Sequence, residues 1–279
     1  MFELYNSTEF ETKYTYTQMD LGAAWSAEKT DFRLWAPTAD SVQVRLYKNG
    51  NADTQDLLET LDMTQDVHGT WIASKSGDLN GIYYTYLVQR DGTEVEACDP
   101  YARTTGVNGQ RAMILDLNST NPEGWENDKD PNYDKDITDA VIYELHVRDL
   151  SMSEHSGIQN KGKFLGLAET GTKNPEGLST GLDYIKDLGV THIHLLPVYD
   201  YGFTDESLPL PQYNWGYDPV NFNTPEGSFS TDPYHGEIRV AEMKQMIKTL
   251  HDNGLSVVMD VVYNHVYDGE AFCFNQIVP

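Results

Sequence analysis

Three stretches of this sequence place charged and hydrogen-bonding groups directly after apolar runs. The run Ala140–Val147 carries His146 and leads into Arg148-Asp149. Val190–Val198 leads through Leu195-Leu196-Pro197 into a long loop. Leu255–Tyr263 carries Asp260 near its end and leads into Asn264-His265. Such groups are costly in an apolar sheet unless they are paired. At the C-terminal ends of parallel strands they face a ligand. The chemistry open to them is ligand binding by hydrogen bonds, or pairing with one another. Arg148 and Asp149 read as a structural ion pair. A different candidate is His192-Ile193-His194, which sets two imidazoles on one face of a strand. That spacing suits zinc. The pair stands near the start of its strand, however, away from the ligand-facing end. No further His or carboxylate cluster with ligand spacing supports it, so no metal site is read there. No phosphate-cradling glycine loop and no Gly-x-Ser-x-Gly elbow occurs.

The elements that position these groups follow from periodicity. Leu178, Leu182, Ile185 and Leu188 are spaced 4, 3 and 3, a helix face with Gly189 as its stop. Val240, Met243, Ile247 and Leu250 predict a second helix from Tyr234 to Asn253, ended by Gly254. Three near-continuous apolar strands separated by these helices imply parallel strands covered by helices. Upstream, residues 20–117 read as all-β. Phe32 and Leu34 alternate in Thr30–Leu34, and Val42, Val44 and Leu46 in Ser41–Tyr47, with Pro37–Asp40 as the turn. A short run surrounds Trp71. Ile82–Gln89 and Glu94–Ala97 flank Asp91-Gly92, the signature of a type I′ hairpin. Ala112–Leu117 is a further strand. Short strands between turn signals predict a β-sandwich. Residues 118–138, with two Pro, one Gly and no apolar period, read as a linker.

Forty-four Asp and Glu against 19 Lys and Arg give the 279-residue chain a formal charge of −25. That balance excludes a nucleic-acid partner and an anionic membrane surface. No window approaches the ~18 apolar residues of a membrane helix. The N-terminus has neither the basic start nor the apolar core of a signal peptide, so the expectation is a cytoplasmic protein. Cys98 and Cys273 accordingly read as free thiols.

Tyr213-Asn214-Trp215-Gly216-Tyr217-Asp218-Pro219 resembles the heptapeptide of type I pullulanases, bacterial α-1,6-debranching enzymes of the α-amylase superfamily. Asp260–His265 is similar to the first motif shared by that superfamily, Val141–Asp149 looks like its first barrel strand, and Thr30–Ala39 resembles the glycogen-binding-type sandwich that precedes the barrel. The resemblance spans about residues 16–279. It implies an N-terminal extension (1–19), a β-sandwich module (20–117), a linker (118–138) and the first three βα units of a (β/α)8 barrel (139–279), the barrel being incomplete in this chain. It implies that Tyr217 stacks on the sugar at the cleaved bond, with Trp215 and Asn214 in the same wall. Asp218 braces that wall or meets a hydroxyl. His265 bonds the hydroxymethyl oxygen of the same sugar. Asp260 pairs with an Arg beyond residue 279, or only holds strand ends together. Asn264 corresponds to a calcium ligand in many amylases, so calcium is allowed but no cofactor is required. Trp35 and Trp71 in the sandwich either bind glucan or fill its core.

One departure stands out. The nucleophilic Asp, the acid/base Glu and the stabilising Asp of the family fall after residue 279, so no catalytic residue is expected in this chain. The resemblance therefore implies part of a debranching hydrolase acting on branched α-glucan, inactive alone and completed by a second polypeptide. The alternatives are a non-catalytic glucan-binding or partner-binding module, or a fragment of an isoamylase-type or branching enzyme.

Overall fold

The computed structural model describes residues 5–209 and 211–279; of the expected N-terminal extension, residues 1–4 lie outside these. The chain divides into two compact units, one of residues up to 116 with 266–279 and the other of 117–265.

The first unit begins with helix α1 (Thr8–Tyr14), capped by Ser7, whose hydroxyl accepts from the Phe10 amide at 3.1 Å. Strands β1 (Gly22–Trp25), β2 (Lys29–Trp35), β3 (Ser41–Tyr47), β4 (Leu57–Asp62), β5 (Thr64–Gln65), β6 (Thr70–Ser76), β7 (Tyr83–Arg90), β8 (Thr93–Ala97) and β9 (Ala112–Met113) follow. They form two antiparallel sheets, ordered β1-β2-β6-β5 and β4-β3-β7-β8, with β9 also on β7. Period-2 alternation sends Phe32, Leu34, Val42, Val44 and Leu46 into one buried cluster with Trp71, Tyr84 and Tyr86. Each such side chain contributes roughly 1.5–3 kcal/mol by leaving water. Asp91 and Gly92 have φ of +49° and +75°, as the hairpin between β7 and β8 requires. The strand expected at Ala112–Leu117 shrinks to two residues. β1, β4 and β5 carry no strong alternation and escaped the sequence reading. Trp71 is a core residue whose indole donates to the Ala36 carbonyl at 3.0 Å. Trp35 is partly covered, its indole donating to the Tyr14 carbonyl at 2.8 Å.

The sequence reading assigned residues 266–279 to the second domain. In the structure Cys273 and Ile277, one helical turn apart on the C-terminal helix Cys273–Ile277, are buried in the sandwich cluster. Arg90 donates to the Ile277 carbonyl. Their apolar spacing finds its partner surface there. Both cysteines are free.

The second unit holds β10 (Ile142–Leu145), α2 (Val147–Ser151), α3 (Phe164–Leu167), α4 (Gly181–Asp187), β11 (His192–Leu195), β12 (Tyr199–Tyr201), β13 (Pro219–Pro225), α5 (Gly236–Asp252) and β14 (Ser256–Met259). β10, β11 and β14 are parallel, with Ile142, His192 and Ser256 in register. Leu145, Ile193 and Leu195 face helix residues Leu182, Ile185, Met246 and Leu250. Leu178 and Leu188, expected on that helix face, are exposed, because α4 is only two turns long. Among the described residues the sheet stays open and no closed barrel forms. Its other face leaves Ile142 and Val258 exposed.

The expected linker is pinned rather than loose. Asn132 is buried and donates to the Thr191 carbonyl (3.0 Å), the Gly254 carbonyl (3.3 Å) and Ser256 Oγ (2.9 Å). It ties together the chain entering β11 and β14. Lys244 on α5 donates to Thr120 and Asn121.

Candidate functional site

β10 ends at Leu145 and β14 at Met259, so His146 and Asp260 stand at the C-terminal ends of parallel strands, where the sequence placed them. Both reach the heptapeptide loop. His146 Nδ1 accepts from the Arg148 amide at 3.1 Å, which leaves Nε2 to donate to the Asn214 carbonyl at 2.8 Å. Burial of the ring lowers its pKa below the ordinary imidazole value, so it stays neutral in this role. At the other end of the loop Tyr217 donates its hydroxyl to Asp260. That bond to a carboxylate, with burial second, pushes the phenol up to about 12.

Within the loop Asn214 acts as a staple. Its Oδ1 accepts from the Gly216 amide at 2.9 Å, while Nδ2 donates to the Gly202 carbonyl at 2.8 Å and to Asp218 Oδ2 at 3.2 Å. Gly216 has φ +87°, and a Cβ there would sit 2.9 Å from Pro197 and from the Tyr201 ring. The sharp turn therefore requires glycine. The result turns Trp215 outward, 60% exposed. Asp218 Oδ1 is buried and has no hydrogen-bond partner among the described residues. Burial raises the Asp218 pKa, and the contact with Asn214 lowers it less.

Five of the expected residues thus assemble: Asn214, Trp215, Tyr217, Asp218 and Asp260. His265 joins them, with Nε2 against the Tyr217 carbonyl and Nδ1 2.8 Å from Asn264 Oδ1. Asn264 is exposed and faces that imidazole. Arg148 and Asp149 do not pair with each other. Arg148 donates to the Pro211 carbonyl at 3.1 Å, and Asp149 accepts from the Tyr213 hydroxyl at 3.2 Å. Both therefore brace the loop from below, because its carbonyls and phenol lie closer than the adjacent opposite charge. His192 and His194 share the face opposite the buried Ile193, as expected. His194 is not remote from the site, though, since its Nε2 lies 3.7 Å from Asp260 Oδ2.

The sequence reading missed a second constellation. Asp200 on β12, Glu206 and Glu226 are buried, with carboxylate oxygens within 4.8 Å of one another. Arg239 on α5 is fully buried and pairs with Glu206 at 2.8 Å. Burial first, then the neighbouring carboxylates, raise Asp200 to about 7 and lift Glu226 well above the usual range. This knot fixes the β12–β13 hairpin that carries the heptapeptide. One signal was available: Arg239 stands on the stripe of Met243, Met246 and Leu250, and an Arg inside an apolar stripe needs buried acids.

The chain thus runs from an antiparallel sandwich to a parallel sheet whose strand ends hold an outward-facing aromatic loop. Residues 20–102 match Carbohydrate-binding module 48 (Isoamylase N-terminal domain), and residues 153–277 match the Alpha amylase catalytic domain. These matches, with the pullulanase relatives that follow, support a pullulanase-type N-terminal portion of the α-amylase superfamily, glycoside hydrolase family 13. It is 42% identical over 264 residues to a pullulanase of Bacillus subtilis (strain 168), covering 95% of this chain and 35% of that protein. A crystal structure of pullulanase from Paenibacillus barengoltzii, in complex with maltohexaose and α-cyclodextrin, is 52% identical with a TM-score of 0.92. That match covers 98% of this chain and 42% of the other. Pullulanase from Anoxybacillus sp. LM18-11, complexed with maltotetraose, is 41% identical with a TM-score of 0.90, covering 98% and 39%. This chain thus spans less than half the length of these relatives.

Proposed function

We propose that this chain is the sugar-holding portion of a debranching glycoside hydrolase that cleaves α-1,6-glucosidic linkages in pullulan, amylopectin and glycogen-derived dextrins with retention. The observation that carries this reading is the heptapeptide loop. It holds the Trp215 ring out to solvent, and it sits at the C-terminal ends of parallel strands. A sugar offers what that ring lacks, an apolar C–H face to stack on. Retaining cleavage needs a carboxylic acid and a carboxylate about 5 Å apart across the bond. In this reading those groups belong to later strands of a (β/α)8 barrel, of which β10, β11 and β14 with their helices are the first three units. The relatives carry the matching segment within one longer chain, which favours a continuation of that kind over a separate second polypeptide. Tyr217 then serves as a π-face beside the oxocarbenium-like transition state. Asp260 fixes the Tyr217 hydroxyl, and His265 closes the wall. The reading asks for no cofactor.

The chain has five tryptophans. Labelling them with fluorotryptophan, and assigning Trp215 through Trp215→Phe, gives a fluorine signal at the loop itself. Titration with maltohexaose is expected to move the Trp215 resonance saturably. A Trp215 resonance that stays fixed up to the solubility of the sugar would remove the basis of this reading.

A further inference from the structure

Among the described residues, four that are not glycine have positive φ: His68, Asp91, Asn108 and Phe203. His, Asp and Asn tolerate that region, whereas a bulky aromatic there is a true outlier. Phe203 has φ +54° and is 73% exposed. The fold thus leaves an apolar side chain largely exposed on a strained backbone, two unfavourable choices at one position. Turn geometry alone does not require this, since Gly or Asn would make the same turn without strain.

The position is also tightly tethered. Gly202, the preceding residue, donates its amide to the Asp218 carbonyl at 2.9 Å and accepts from Asn214 Nδ2 at 2.8 Å. Both partners belong to the heptapeptide loop that exposes Trp215. The chain entering Phe203 is therefore held by the same residues that set the candidate sugar wall. Strain of this kind persists where surrounding contacts over-determine it, and such positions concentrate at ligand clamps.

We propose that Phe203 is a substrate-positioning residue, its ring a platform for a glucose unit of the α-glucan chain beside the one held at the heptapeptide loop. This rests on the function proposed above. Phe has no polar handle, so the contact is burial of the ring against the C–H face of a neutral sugar. Its strength should not respond to salt.

The test repeats the maltohexaose titration, read at the fluorine resonance of Trp215, in the full 279-residue chain. Phe203→Ala and Phe203→Asn are expected to weaken binding about threefold to tenfold, and Phe203→Tyr to retain it. Asn relieves the positive φ, so Phe203→Asn is expected to keep or raise the Tm while losing affinity. A merely structural ring would not give that opposition. Affinities for Phe203→Ala and Phe203→Asn equal to wild type would overturn the proposal, as would a Phe203→Tyr variant as weak as Phe203→Asn. A wild-type chain whose Trp215 signal never moves instead defeats the functional reading itself, so the two failures are distinct.

Discussion

At the residue scale, the proposed sugar wall depends on very few atoms. Replacing Asn214 with Ala removes three hydrogen bonds from one loop, each worth about 1 kcal/mol. The expected outcome is a lower Tm together with loss of the Trp215 response to maltohexaose. Gly216→Ala places a methyl against Pro197 and Tyr201 at positive φ, and should cost more than about 1 kcal/mol in denaturant unfolding. Tyr217→Phe keeps the ring and loses only the bond to Asp260. Maltohexaose affinity should fall much less in this variant than in Tyr217→Ala, and equal losses would show that the hydroxyl rather than the ring holds the sugar. The placement of His146 and Asp260 at strand ends was legible in the sequence from the apolar runs before them, and the loop from the resemblance of seven contiguous residues. The roles of Arg148 and Asp149 were not. Adjacent opposite charges suggest a pair, and only three dimensions show that a carbonyl and a phenol lie closer.

At the element scale, the β12–β13 hairpin is locked to α5 by Asp200, Glu206, Glu226 and Arg239. The pH consequence has a definite sign. Asp200 titrates near 7 in the folded protein but at an ordinary carboxylate value when unfolded. Between about pH 4 and 7 the folded state therefore holds the extra proton, and stability falls as pH rises through that window. Glu226 is displaced in the same direction. Asp200→Asn keeps a neutral hydrogen-bonding group and should flatten the decline, read as the difference in unfolding free energy between pH 4.5 and 7.5. Matching slopes in variant and wild type would contradict this assignment. Arg239→Met leaves buried carboxylates without their cation and should cost about 3–5 kcal/mol. Helix α5 was legible from its spacing, and so was the hairpin at Asp91-Gly92. Strands β1, β4 and β5 were not, because their side chains are largely exposed or irregular and leave no alternation to read. The three parallel strands came out shorter than their apolar runs, since apolar character continues past the last ladder hydrogen bond.

At the scale of the whole molecule, the charge of −25 and the neutral sugar reading fit together without one proving the other. Maltohexaose affinity should be indifferent to ionic strength between 50 and 500 mM salt, a range over which the Debye length falls through roughly 10 Å and exposed charges become screened. In the second unit Ile142, Val258, Met259, Val261 and Tyr263 are exposed beside the open sheet. Uncovered apolar surface of this kind binds hydrophobic dyes and favours association. The family resemblance implied an incomplete barrel, and among the described residues the parallel sheet stays open. The sequence did not foretell that residues 266–279 fold onto the sandwich, because two buried side chains on a short helix give no pattern before a partner surface is known.

The central claim is that this chain holds the glucan while later sequence breaks the bond. Its most direct test joins residues 1–279 to the C-terminal remainder of the Bacillus subtilis pullulanase and measures maltotriose release from pullulan, beside the 279-residue chain alone. The account predicts release by the joined protein, none by the chain alone, and loss of release when Tyr217→Ala is introduced into the joined protein. Maltotriose released by the chain alone, or a folded joined protein that leaves pullulan intact, would contradict it.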